Sequence, residues 1–256
     1  MAFETIISDI SARGLATVTF NRPDRGNALS SAMIDELVLH LRELAQDARV
    51  RVLLLRANGK HFCGGADVSP KKDGDIAKFT LSDLFQEIDQ FPKPTICVVN
   101  GGAIGAGAAL TVCCDVTFAF PDAFFSVPEV RLGIVPGGVV PVLLRALGSR
   151  NLRRYALSGE RVSGPEASRV GFAHEAHAAE NMDAAIDNMV DSMLLGAPNA
   201  QRVTKEQISA YDHETVRDMR SHGQVKSAHH GIRTPEASEG VAAFKEKRKP
   251  NWYTPR

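Results

Sequence analysis

The sequence predicts an α/β protein on the basis of three observations. Apolar runs with the composition of β-strands alternate with segments of helical periodicity through the first part of the chain. Glycine-rich turns join several of these strands to the helices that follow them. From about residue 181 onward the periodicity is mainly helical, which predicts a helical C-terminal region after a β/α core.

The first unit is predicted to be a β-hairpin, a helix and a buried strand. Ile6–Ile10 and Leu15–Phe20 are rich in β-forming residues and flank a short turn, which indicates a hairpin. Apolar residues then recur at helical spacing over 30–46, with Ser30 as the N-cap. The apolar run at 50–55 predicts a strand that is buried on both faces.

The next two units repeat this order of loop, helix and strand. In the second unit, the Gly-rich loop 57–68 precedes an amphipathic helix that Pro92 ends, and Thr95–Val99 is the following strand. In the third unit, the small-residue loop 101–107 opens a helix that extends to about Cys114. The elements predicted downstream are short strands at 116–120 and 124–127 and a helix from Gly137 through Leu147.

Three further helices are predicted in the C-terminal part of the chain. They are expected at 181–195, 199–211 and 235–247. The last begins at Thr234-Pro235, a favourable pair of N-cap and first-turn residues. We therefore predict a core over residues 1–195 and a helical region over residues 196–256.

Size and charge exclude several classes of protein. The chain has 256 residues, is 44% hydrophobic and carries 30 acidic and 30 basic residues. This size allows a large core, and the balanced charge gives no electrostatic reason to bind nucleic acid. No apolar run reaches the roughly 18 residues that a membrane span needs. We therefore expect neither nucleic acid nor a membrane as a partner.

Cysteine usage and the N-terminal segment bear on the compartment. The four cysteines, at 63, 97, 113 and 114, form no C-x-x-C pair, and a disulfide framework is not expected in a chain of this length. The N-terminal segment has neither a basic region nor a long apolar stretch, unlike a signal peptide. We therefore expect a reducing, cytoplasmic location.

Two loops of small residues are candidates for binding an oxyanion. They are Cys63-Gly64-Gly65-Ala66-Asp67 and 101–107. Small residues let the backbone approach a ligand closely, and amides at helix N-termini are unpaired donors. If the loops faced each other, each donor would stabilise a developing oxyanion by roughly 3–4 kcal/mol. Taken alone, either loop is explained as well by an ordinary tight turn with close helix packing.

Glu129 is the main candidate for acid/base chemistry. It lies among apolar, Pro and Gly residues, where burial would raise its pKa towards the working range of a general acid or base. The alternative is a solvent-facing glutamate paired with Arg131. His61 is a possible further proton carrier or a surface residue, and Cys63 is a possible nucleophile or a small buried side chain.

Together these segments resemble the enoyl-CoA hydratase/isomerase (crotonase) superfamily. The matching segments are Asn21-Arg22-Pro23, Asn27-Ala28-Leu29-Ser30, 62–68, Val99-Asn100-Gly101, Pro128-Glu129, 132–138, 234–240 and 244–248. They cover nearly the whole chain, and their combination is far more specific than any one of them. The resemblance implies a spiral of ββα units followed by a helical trimerisation region. It also implies an acyl-CoA as substrate and a homotrimer or a hexamer built as a dimer of trimers.

The resemblance also implies roles for individual residues. The amides of Ala66 and Ala106 would bind the thioester oxygen, and Glu129 matches the second of the two hydratase glutamates. The residues expected to bind substrate are Arg25, Ala28, Gly64, Ala66, Asp67, Val68, Ser69, Gly102, Ala106, Pro128 and Gly137. Ala109 stands where the first glutamate belongs, and an alanine cannot transfer a proton. Ala106 replaces the usual glycine, but the backbone N–H survives that change.

The expected activity is hydration or double-bond isomerisation of an enoyl-CoA through a thioester enolate, as in fatty acid metabolism. A double-bond shift needs one base, so a lone Glu129 fits isomerisation, although some similar hydratases keep only this glutamate. No metal and no cofactor are expected beyond the CoA of the substrate. The alternatives are a crotonase-like decarboxylase or acyl-CoA hydrolase, and a catalytically silent CoA-binding or scaffold protein.

Overall fold

The computed structural model describes residues 3–67, 78–211 and 235–254. The larger of its two sheets has, in spatial order, β1 (Ile6–Ile10), β2 (Leu15–Phe20), β3 (Val52–Ala57), β4 (Thr95–Val99), β6 (Val116–Ala119) and β9 (Glu175–Ala176). β1 pairs antiparallel with β2 as the predicted hairpin, and all later neighbours pair in parallel. The sheet is therefore parallel except at one edge.

A smaller sheet of three short strands carries the second Gly-rich loop. Its strands are β5 (Gly102–Ile104), β7 (Phe124–Ser126) and β8 (Val162–Ser163). β5 and β7 are parallel, with Ile104 opposite Ser126 at their ends, while β7 and β8 are antiparallel. The chain segments that leave β5 and β7 therefore emerge side by side, at the same edge of this sheet.

Helices surround the two sheets. They are α1 (Ser31–Gln46), α2 (Leu81–Asp89), α3 (Ala106–Cys113), α4 (Val140–Ser158), α5 (Gly164–Val170), α6 (Ala179–Leu194), α7 (Pro198–Tyr211) and α8 (Pro235–Glu246). Two short 3₁₀ helices lie at Pro23–Arg25 and Glu129–Leu132. Among the residues that the structure describes, no helix is long and apolar enough to cross a bilayer.

Both faces of the larger sheet are covered, as the apolar strand at β3 predicts. Leu53 and Leu55 belong to the main core, which α1, α2 and α3 share. Val52 and Leu54 point the other way, into a second core formed with the buried face of α6. Parallel strands covered on both faces have near-continuous apolar sequences, because alternate side chains enter different cores.

The helix α1 forms where the periodicity predicts it. Its buried face consists of Met33, Ile34, Leu37, Val38, Leu41 and Leu44. Ser30 is in an extended conformation, and its side-chain oxygen accepts a hydrogen bond from the Met33 amide at 3.2 Å. This N-cap satisfies one of the amides that a helix leaves unpaired at its start.

The predicted helix after Gly137 extends further than the sequence indicates. It begins at Val140 and continues to Ser158, with a break at Gly148, where φ is +70° and ψ is +160°. Two helical segments meet at this glycine, and the buried residues of the second are Leu152, Tyr155 and Ala156. The strands β5, β8 and β9 were not predicted, since strands of two or three residues have no measurable alternation, and β5 lies within the segment predicted as the loop 101–107. The helix α5 was not predicted either.

The C-terminal helices occupy their predicted positions within two residues, and they return to the core. Glu236 at the start of α8 accepts hydrogen bonds from the amides of Asn199 and Ala200, at the start of α7. Trp252 Nε1 donates to the Leu195 carbonyl at 2.9 Å. The division of the chain at residue 195 and the use of these helices for trimer formation stay predictions.

Candidate active site

The two small-residue loops pair directly with each other. Cys63 and Ala103 form a parallel bridge between them. The Cys63 amide donates to the Gly102 carbonyl at 3.0 Å, and the Ile104 amide donates to the Cys63 carbonyl at 2.9 Å. The loops that the sequence singles out are thus brought together by backbone hydrogen bonds, as the oxyanion interpretation requires.

The first candidate donor is the amide of Ala66. Leu29 pairs with the backbone groups on either side of it: its amide donates to the Gly65 carbonyl at 2.8 Å and its carbonyl accepts from Asp67 at 3.0 Å. The Ala66 amide lies outside this pairing and points to the other side of the segment. Ala66 itself is exposed, so a ligand can reach this stretch of backbone.

The second candidate donor is the amide of Ala106, the first residue of α3. An amide in the first turn of a helix has no partner within the helix, and the helix dipole places partial positive charge there. The close approach of the loops depends on Gly65, whose φ is +97°. A Cβ at residue 65 would lie 2.9 Å from the Ile104 carbonyl oxygen and 3.9 Å from the Ala106 nitrogen. The residue before Ala66 therefore packs against the residues that lead to Ala106.

Glu129 follows β7 and reaches the start of α3. The Gly105 amide donates to the Ser126 carbonyl at 2.8 Å, which continues the β5–β7 pairing to the end of each strand. Gly105 has a φ of +54°, and a Cβ there would lie 2.6 Å from Oε1 of Glu129. The carboxylate thus lies directly against the residue that precedes Ala106, and only glycine leaves room for it.

The environment of Glu129 favours its protonated form. Oε2 is buried and has no hydrogen-bond partner. Loss of hydration raises the pKa of this carboxyl above its usual range, and a hydrogen bond from its own backbone amide opposes the shift. Arg131, the partner considered in the alternative interpretation, donates from Nε to the Ser158 carbonyl at 3.0 Å. Glu129 is therefore a partly buried carboxyl group with a raised pKa and no ion-pair partner among the residues that the structure describes.

Asn27 stabilises the segment that leads into the first loop through side-chain hydrogen bonds. It is fully buried, and it adopts a φ of +53°. Its Oδ1 accepts from the Arg22 amide at 2.7 Å, and its Nδ2 donates to the carbonyls of Asn58 and His61 at 2.8 and 2.7 Å. Asparagine tolerates this left-handed conformation better than most residues and supplies both donor and acceptor.

Replacing Asn27 by Ala is expected to destabilise the fold by about 2–4 kcal/mol, because buried backbone groups lose their partners and a strained φ remains. Urea unfolding of the purified protein measures the change. Asn21→Ala, which removes an exposed contact with Asn58, is the matched control and should change stability by less than about 0.5 kcal/mol. Equal unfolding midpoints for the two variants would contradict this role of Asn27.

A partly buried ion pair ties the 21–29 segment to the first loop. Arg22 Nη2 lies 3.1 Å from Asp67 Oδ2, and Arg22 Nη1 donates to the Ala28 carbonyl. The Gly64 amide donates to the Gly26 carbonyl at 2.8 Å. Ala28, Gly64 and Asp67, all predicted to bind substrate, are therefore clustered around Ala66.

The remaining predicted substrate residues are more scattered. Pro128 is half-buried beside Glu129, whereas Arg25 and Gly137 are exposed. Gly102 is buried, and both of its backbone groups are used within the protein. Val68 and Ser69 lie outside the described residues.

Two side chains near the loops have no acid/base role. Cys63 is fully buried, and burial raises the pKa of its thiol to about 12, so it is a small filling residue and not a thiolate nucleophile. Ala109 is fully buried in α3 and presents no ionisable group. The supporting contacts of Asn27 and Arg22 were not predicted from the sequence. The signal that could have indicated them is an asparagine in a polar, turn-rich loop.

Comparisons with known proteins identify the family of the chain. A family model described as enoyl-CoA hydratase/isomerase matches residues 11–255. Human "enoyl-CoA hydratase domain-containing protein 2, mitochondrial" is 34% identical over 253 residues, spanning 94% of this chain and 86% of that protein. The 2,3-dehydroadipyl-CoA hydratase of Escherichia coli (strain K12) is 31% identical over 242 residues, spanning 92% and 93%.

Solved structures identify the fold as well. The crystal structure of an enoyl-CoA hydratase/isomerase from Marinobacter aquaeolei has a TM-score of 0.89 and 30% identity, covering 97% of this chain and 98% of that one. The protein therefore has the crotonase fold, which confirms the α/β prediction. Family model, relatives and structures all agree that this chain belongs to the enoyl-CoA hydratase/isomerase family.

Proposed function

We propose that this protein acts on an enoyl-CoA thioester by stabilising its enolate between the amides of Ala66 and Ala106, with Glu129 as the proton carrier. The single observation that carries the proposal is the position of the Glu129 carboxylate, packed against Gly105 beside the first amide of α3. The pairing of the two loops supports it, because Gly65, the residue before Ala66, packs against the residues that lead to Ala106.

The chemistry follows from the charge that develops on the thioester oxygen. Two fixed amides would stabilise the negative oxygen of the enolate, with each donor contributing roughly 3–4 kcal/mol at the transition state. A carboxyl group with a raised pKa can give a proton to carbon and take one away near neutral pH. Glu129 would do both in turn, since Ala109 supplies no second acid or base.

Two reactions fit a single carboxylate, and different observations favour them. In a double-bond shift, Glu129 would remove a proton at one carbon and return it two carbons along, for which one base is sufficient. In hydration, it would activate water and then protonate carbon. The relative from Escherichia coli is named as a hydratase, which supports the second reaction, whereas the alanine at position 109 supports the first.

Incubating the purified protein with a 2-enoyl-CoA, a 3-enoyl-CoA and methylglutaconyl-CoA distinguishes the reactions. Hydration is expected to add the mass of one water, while isomerisation leaves the mass unchanged and alters the ultraviolet absorbance. Release of carbon dioxide or free CoA would contradict both and favour a decarboxylase or an acyl-CoA hydrolase. Binding of acyl-CoA without any conversion would indicate a silent CoA-binding protein.

Several further properties belong to the same proposal. The reaction needs no metal or redox cofactor, because the thioester and the oxyanion donors supply the activation. We propose a homotrimer, or two stacked trimers, which light scattering would test. We propose a reducing, cytoplasmic setting, in which the four buried thiols would stay reduced.

A further inference from the structure

His61 joins the two loops through its side chain. Its Nδ1 accepts a hydrogen bond from the Gly102 amide at 2.9 Å. Its own carbonyl accepts from Asn27, and its neighbour Phe62 donates from the amide to the Asn100 carbonyl at 2.8 Å. The imidazole therefore adds a side-chain hydrogen bond to the backbone hydrogen bonds that pair the loops.

This contact takes the place of a missing backbone partner. Gly102 is buried at the start of β5, where a Cβ would lie 2.7 Å from the Phe124 ring and 3.0 Å from His61 Nδ1. A buried amide that loses its acceptor is destabilised, because water does not replace the lost hydrogen bond. The segment that runs from Gly102 to Ala106 is short, so a shift at its first residue moves the amide of Ala106 relative to that of Ala66.

We propose that His61 is a positioning residue, whose neutral imidazole fixes the separation of the two oxyanion donors by holding the Gly102 amide. The inference rests on the proposed function, since it assigns His61 a role in aligning Ala66 and Ala106. The Nδ1 atom accepts, so the proton of the neutral ring is on Nε2. Protonation would place a second N–H against the Gly102 amide and would break the contact.

The charged groups that face His61 favour the neutral ring. Lys60 precedes it in the chain, and Arg161 stacks on the Phe124 ring, which contacts the imidazole edge-on. Burial, Lys60 and Arg161 each lower the pKa of His61 below its usual value. The contact is therefore present at neutral pH and is lost as the pH falls through this lowered pKa.

Two variants distinguish the effect of the hydrogen-bond acceptor at residue 61 from the effect of the bulk of the imidazole ring. His61→Asn keeps an oxygen acceptor near the position of Nδ1 but does not titrate, whereas His61→Leu has similar bulk and no acceptor. With the enoyl-CoA that the wild type converts, His61→Leu is expected to lose on the order of tenfold in kcat with little change in KM. His61→Asn should stay within about twofold of the wild type at pH 8 and should show a shallower loss of activity on acidification.

The outcomes of this experiment are distinguishable. A wild type that converts no enoyl-CoA defeats the proposed function, and NMR then tests the contact by itself, since the Gly102 ¹⁵N shift should follow the protonation of His61. A wild type that is active, with His61→Leu equal to it in kcat and pH profile, overturns the role of His61 alone. If His61→Leu does not fold, the pH profiles of His61→Asn and the wild type decide, because identical profiles contradict the proposal.

Discussion

Replacing Glu129 by Gln is expected to lower kcat for enoyl-CoA conversion by roughly 10²–10⁴-fold, which is the usual contribution of a general acid or base. The amide has nearly the same size as the carboxyl, and the space beside Gly105 is unchanged, so binding of acyl-CoA should persist. Steady-state kinetics with the wild-type substrate, together with calorimetric binding of an acyl-CoA, measure the two effects separately. Glu180→Gln, an exposed change on α6, is the matched control.

The Glu129→Gln variant, which is expected to lose activity, is also expected to gain stability at neutral pH. Because the folded state raises the pKa of Glu129, the native protein is favoured by protonation, and this contribution is lost as the pH rises through the raised pKa. Glu129→Gln should therefore raise the melting temperature at pH 7.5 and leave it almost unchanged near pH 4. Full activity of the variant, or an equal shift in melting temperature at both pH values, would contradict the burial and role assigned to Glu129.

The main features of the site are visible in the sequence because they depend on local residue types. Small residues at 64–66 and 105–107 mark places where the backbone must approach something closely, and Glu129 stands out as a carboxylate among apolar neighbours. Hydrophobic periodicity fixes α1 and the buried strand β3 in the same way. These predictions need no knowledge of which segments become neighbours in space.

The parts that could not be predicted are those that depend on tertiary neighbours. The contact of Gly105 with Glu129 arises because β5 and β7 are adjacent and end at the same level, which the sequence does not state. The same holds for His61, whose acceptor role appears only when the Gly102 amide is opposite its ring. Arg25 and Gly102 were both expected to bind substrate from the family resemblance, yet Arg25 is exposed and Gly102 is buried. The resemblance therefore did not indicate how accessible each residue is to solvent.

Replacing Ala106 by Pro is expected to reduce kcat by roughly 10²–10³-fold while the protein remains folded. Proline removes one backbone N–H and no other group that the proposed chemistry uses, and the loss of one oxyanion donor has this magnitude. Ala106 is the first residue of α3, a position where helices accept proline, because the missing N–H has no partner within the helix. The side chain of Ala106 takes no part in the proposed chemistry.

The control for this experiment is Ala106→Gly, which keeps the N–H and should retain kcat within a few-fold, although it weakens the start of the helix by roughly 1 kcal/mol. Circular dichroism and melting temperature establish whether α3 has survived the proline. A folded Ala106→Pro variant with wild-type kcat would show that this amide does not bind the thioester oxygen. A loss of kcat in the glycine variant equal to that in the proline variant would instead assign the effect to helix packing. A loss of kcat in the proline variant alone supports a role for the amide itself, because the glycine variant keeps the N–H although it lacks the methyl group of Ala106.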